Sequence, residues 1–113
     1  MPRFVTIGYG DRDGYERTPA RLRDKAHAHD AELQRQGAVM GMAGQPVQVR
    51  NPEAAGVETK GGPYLSASLP VAGFAIIEAA SLEEAISKVA QAPCAICHGV
   101  VEVWPLQETP DAA

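Results

Sequence analysis

GFAIIEAASLEEAISKV, residues 73–89, carries a strand and a helix in one unbroken line, and the rest of the chain can be read outward from it. Phe74, Ile76 and Glu78 alternate with Ala75 and Ile77, the two-residue period of a strand with large groups on both faces. Ser81 follows as a helix cap, and Glu84 three residues later completes a capping-box pattern. Leu82, Ala85, Ile86, Val89 and Ala90 give the helix its expected buried face, and Pro93 lies beyond its end. Gly99 to Trp104 reads as a last strand closed by Pro105, with Val101 and Val103 on one side and Val100, Glu102 and Trp104 on the other.

Toward the N-terminus, Phe4 to Tyr9 alternates as a strand, and Gly10-Asp11-Arg12-Asp13-Gly14 reads as a turn or loop. Thr18 is the expected cap of a helix with Pro19 at its first position; the helix runs to about Gln36 and stops at Gly37. Its apolar stripe is thin: Leu22, Ala26, His29 and Leu33. Ala38 to Met42 and Gln45 to Arg50 read as short strands, and Gly56 to Leu69 as an irregular stretch with a tight turn at Gly61-Gly62-Pro63-Tyr64. One domain is expected over residues 1–106, with a frayed tail over 107–113.

This order predicts an α+β fold with an antiparallel sheet and two helices on one face. Phe74, Ile76, Val100 and Trp104 then lie on the helix-free face, an apolar patch that a second copy of the chain would cover. Covering about 600 Å² of apolar surface is worth on the order of 15 kcal/mol before the costs of association, ample for a homodimer.

The chain has 113 residues and a formal charge of -4, and no basic run exceeds two residues, so nucleic acid is not an expected partner. No apolar run approaches the roughly 20 residues needed to span a bilayer, and MPRFVTIGYG has no signal-peptide pattern, so no membrane partner and a cytoplasmic location are expected. Two cysteines are too few for a disulfide scaffold.

Cys94-Ala95-Ile96-Cys97-His98 matches the pattern of covalent haem attachment. Haem is not expected, because a strand follows at once where a cytochrome would supply helices. A thioredoxin-like pair would sit at a helix N-terminus, whereas this one reads as following a helix. Zinc would need two more ligands, which His27, His29 and His98 do not offer at finger spacing. The pair is expected to be two small thiols, with no metal and no cofactor.

The candidate acid–base group is His29, on the inward stripe of the first helix, since an imidazole changes charge near neutral pH. The same imidazole could instead be a core histidine with one satisfied hydrogen bond. His27 lies about 200° around the helix, on the expected solvent side, and Asp30 reads as a surface charge. Asp11, after the first strand, and Glu102, facing the space between the sheets, are the carboxylates expected to orient a base or carry charge. Tyr9, Tyr64 and His98 are expected to line a substrate pocket; the plainer readings are a turn-forming Asp11, a paired Glu102 and a His98 that sets up the last strand.

Tyr9-Gly10-Asp11, the helix end at Gly37, Gly62-Pro63-Tyr64, Gly73-Phe74, His98-Gly99 and Val101-Glu102-Val103 with Pro105 together resemble the YCII-related proteins, within them the DGPF-domain branch. The resemblance covers about Phe4 to Leu106 and rests on order and spacing rather than on any one piece. It implies a ferredoxin-like fold and a dimeric α+β barrel. It also implies that some relatives are small-molecule enzymes using a His and an acidic residue, while others stand beside sigma factors in a regulatory setting. Gly61 replaces the signature aspartate, and Leu65 to Leu69 replaces the acidic and lysine residues that usually follow. The expected function is small-molecule binding, or proton-transfer chemistry of an isomerase or lyase type. The alternative is a non-catalytic regulatory protein, for example the partner of a sigma factor.

Overall fold

The computed structural model describes residues 1–107. It is α+β: a four-stranded antiparallel sheet, a separate two-stranded sheet, and helices. The main sheet is formed by β1 (Arg3–Tyr9), β2 (Val39–Met42), β5 (Val71–Glu78) and β6 (Val100–Leu106), in the order β2-β5-β1-β6. The other sheet pairs β3 (Val47–Arg50) with β4 (Glu58–Gly61). The tail expected over 107–113 lies, from residue 108 on, outside the described residues.

The register assigns the two faces of the sheet. Phe4 pairs with Ile77 and Thr6 with Ala75, on the side that carries the helices. Val5 pairs with Ile76 and Trp104, and Ile7 with Phe74 and Glu102, on the other. The alternation read from residues 73–89 is therefore the one the sheet uses. Phe4, Ile77 and Ala79 pack with Ala85 and Val89 of α3 (Leu82–Val89) to form the core. On the opposite face Phe74, Ile76 and Trp104 remain 50%, 41% and 54% exposed.

Several local expectations are corrected. Residues 10–14 are not all loop: α1 (Arg12–Glu16) begins there, and the Asp11 carboxylate caps it by accepting from the Gly14 N–H at 2.9 Å. Thr18 is not the cap of α2 (Ala20–Arg35); Pro19 holds that position. The buried Thr18 hydroxyl instead donates to the Gly14 carbonyl at 2.7 Å, tying the segment that enters α2 to the middle of α1. Gly37 ends α2 as expected, at φ +106, where a Cβ would be strained.

The capping box of α3 forms, with Ser81 Oγ accepting from the Glu84 N–H; Glu84 accepts from the Ala80 N–H rather than from that of Ser81. Only Ala85 and Val89 of the expected face of α3 are buried, while Leu82 and Ile86 stay exposed, because the helix turns its small residues toward Ile77. Pro105 does not end β6, which runs on to Leu106. That is tolerable because β6 pairs on one side only, with β1. The irregular stretch of 56–69 holds β4, the partner of β3.

Candidate functional site

Small residues make the site. Under α3 the sheet offers Phe4 and Ile77, and the core closes. Under α2 it offers Thr6, Gly8, Gly73 and Ala75, none of which carries a large side chain toward the helix. A cavity of about 860 Å³ opens there, bounded by α1, α2, the sheet and α4 (Pro93–Ile96), a volume suited to a small organic ligand. Leu33, Met40, Ile77, Val89 and Val101 supply apolar walls.

Helix α2 has three flanks, which follow from about 100° of turn per residue. Ala26 and Leu33 point straight inward and are buried. His29 lies on the flank toward α3, where Nε2 donates to the Lys88 carbonyl at 2.5 Å. This is one of the carbonyls a helix end leaves without a partner, and the imidazole fills it. The satisfied-histidine reading describes His29; it does not line the cavity.

The third flank, holding Arg23, His27, Asp30 and Gln34, does line it. His27 is exposed, as expected, and stands at the rim of the cavity, whereas Asp30 is half-buried and is not a plain surface charge. His27 Nε2 stands 2.9 Å from the Tyr15 hydroxyl, with the rings 5.8 Å apart. The Arg23 guanidinium lies 4.8 Å from the centre of the Tyr15 ring, a cation–π contact. Burial pushes the Asp30 carboxyl above its ordinary value, opposed by the charges of His29 and His27.

The pair follows α3, as expected, but Cys94 sits at the second position of a one-turn helix, α4, and Cys97 is the C-cap of that helix. The Cys94 thiol lines the cavity, and Gly8 makes room for it: a Cβ on Gly8 would stand 2.8 Å from Cys94 Sγ. Burial first, then the charges of Asp30 and Cys97, raise the Cys94 thiol above its ordinary value, which keeps it protonated at neutral pH and withholds an activated nucleophile. Cys97 is buried, and both are free thiols. Among the described residues no three His, Cys, Asp or Glu side chains gather as a metal-binding group.

The other residues singled out in the sequence are dispersed. Asp11 is at the cavity edge but is committed to capping α1. Glu102 accepts from the Tyr9 hydroxyl at 2.9 Å, and neither residue lines the cavity. Tyr64 is 79% exposed beside the two-stranded sheet, with the Arg50 guanidinium 5.7 Å from its ring centre. His98 takes φ +63 in the turn before β6 and is exposed. His29, Asp11 and Glu102 thus do not meet. Arg23, His27 and Asp30 line one cavity, and their spacing along one helix flank was the available signal.

No family model matches the chain, and no curated protein matches it significantly. No helix among the described residues is long and apolar enough to cross a membrane.

Proposed function

We propose that the chain is a small-molecule-binding protein of the YCII-related type, ferredoxin-like in fold and homodimeric. The observation that carries the binding reading is the cavity of about 860 Å³ beneath α2, apolar in its walls and polar along one helix flank. An open groove of this size, mostly apolar with a few polar groups along one edge, is the usual form of a small-molecule site. Asp30, its carboxyl raised by burial, and His27 one turn away are the groups that would exchange protons with a bound molecule. That assignment moves the acid–base role from His29 to its neighbours on the same helix.

The fold reading is supported by the strand order, in which β1 lies between β5 and β6 and β2 lies outside β5. The dimer reading is supported by the open apolar face of Phe74, Ile76 and Trp104, which a second sheet would cover. The cytoplasm is the setting in which Cys94 and Cys97 would stay reduced.

Thermal unfolding against a panel of small organic molecules tests the binding reading. Binders should raise the midpoint, and Ala75→Phe, which grows into the cavity, should abolish that rise while the variant stays folded. A full panel with no binder, or binders whose effect survives Ala75→Phe, would remove the proposal.

A further inference from the structure

Arg23 is the one Arg or Lys lining the cavity that makes no hydrogen bond or ion pair among the described residues. Its Nε is buried and has no hydrogen-bond partner among the described residues. It makes no ion pair there either, and its guanidinium lies over the face of the Tyr15 ring. Neighbouring charges are otherwise engaged: Arg12 pairs with Glu16 at 3.3 Å, and Asp11 caps α1. Nε is closed to a ligand in the open cavity, but no hydrogen bond or ion pair engages the terminal guanidinium nitrogens either, and a cation lining a cavity is a group that an anionic ligand would satisfy.

We infer that the cavity takes an organic carboxylate with an apolar body, its carboxylate held by Arg23 beside Tyr15 and its body lying over Ala75 and Leu33. This rests on the small-molecule reading above and names the ligand class for that site. One guanidinium balances one negative charge. The apolar walls suit a hydrocarbon or aromatic body rather than a polyanion, and Asp30 across the same flank disfavours a second negative charge. A planar guanidinium matches a carboxylate in a two-bond fork, and stacking on Tyr15 holds that fork in place.

Calorimetric titration with naphthoate and its neutral counterpart naphthylmethanol tests the inference. The wild-type protein should bind naphthoate about tenfold tighter, the gain of a charge-assisted pair. Arg23→Gln should remove that preference while leaving naphthylmethanol binding intact, and Arg23→Lys should keep part of it. Equal binding of the two probes, or a preference for naphthoate that survives Arg23→Gln, overturns the carboxylate inference and leaves small-molecule binding standing. Absence of binding by both probes overturns the inference too, and the wider panel with Ala75→Phe then decides separately whether the cavity binds small molecules at all.

Discussion

The Tyr9 hydroxyl donates to Glu102 across neighbouring strands, at 2.9 Å, on the same face of the sheet as Trp104. The bond raises the Tyr9 hydroxyl above its ordinary value of 10.0, with burial and the Glu102 charge acting in the same direction. The folded state therefore holds this proton more tightly than the unfolded chain does. Its stabilisation is complete below pH 10.0 and is lost as pH climbs through the raised value. Tyrosinate absorbance followed against pH should show Glu102→Gln bringing the late-titrating tyrosine down toward the ordinary range. An unchanged titration would mean that Glu102 does not hold the proton.

His29 and Asp30 are adjacent in sequence and opposite in effect. His29→Ala loses the bond to the Lys88 carbonyl and should cost about 1 kcal/mol in urea unfolding, with ligand binding unchanged. Asp30 is raised by burial, so its protonated form favours the fold, and that contribution fades as pH rises through the raised value. Asp30→Asn should therefore be more stable than wild type at neutral pH, and the difference should shrink as pH falls toward 3.8. A gap that widens on acidification would reverse the assigned cause.

Gly99 is held between backbones. A Cβ there would stand 2.1 Å from the Tyr9 carbonyl oxygen and 2.7 Å from that of Cys94, and neither can move without shifting its element. Gly99→Ala should cost at least about 2 kcal/mol. Gly41→Ala, with nothing within 4 Å, should stay within about 0.5 kcal/mol of wild type. Equal midpoints in chemical unfolding would contradict the packing described around β6.

Trp104 and Phe74 lie on the open face of the sheet. Sedimentation equilibrium should give a dimer for the wild type and a folded monomer for Trp104→Glu, since a buried carboxylate at the centre of an apolar interface has no partner. A wild-type monomer at micromolar concentration would remove the homodimer.

The strands were legible wherever a period of two ran through large residues. Phe74 against Ala75 in β5, and Val101 against Glu102 in β6, fix both faces of the sheet without tertiary information. The capped start of α3 was equally plain, because Ser81 and Glu84 interact locally. Asp11 as the cap of a five-residue helix was not, since a segment that short has no periodicity to read. The cavity was hidden for a related reason: it lies over small residues such as Thr6 and Ala75, and missing volume leaves no pattern along a chain. Asp30 looked like a surface charge because α2 was treated as having an inside and an outside. Its third flank exists only because the sheet below it is made of small residues.

The central claim is that a small molecule lies between α2 and the sheet. Amide chemical-shift mapping of uniformly nitrogen-labelled protein, titrated with the tightest binder from the panel, tests it most directly. The largest changes should fall on Thr6, Gly8, Asp30, Gly73 and Cys94. Changes concentrated on Val5, Phe74, Ile76 and Trp104, with the α2 flank silent, would place the ligand on the opposite face and contradict the account.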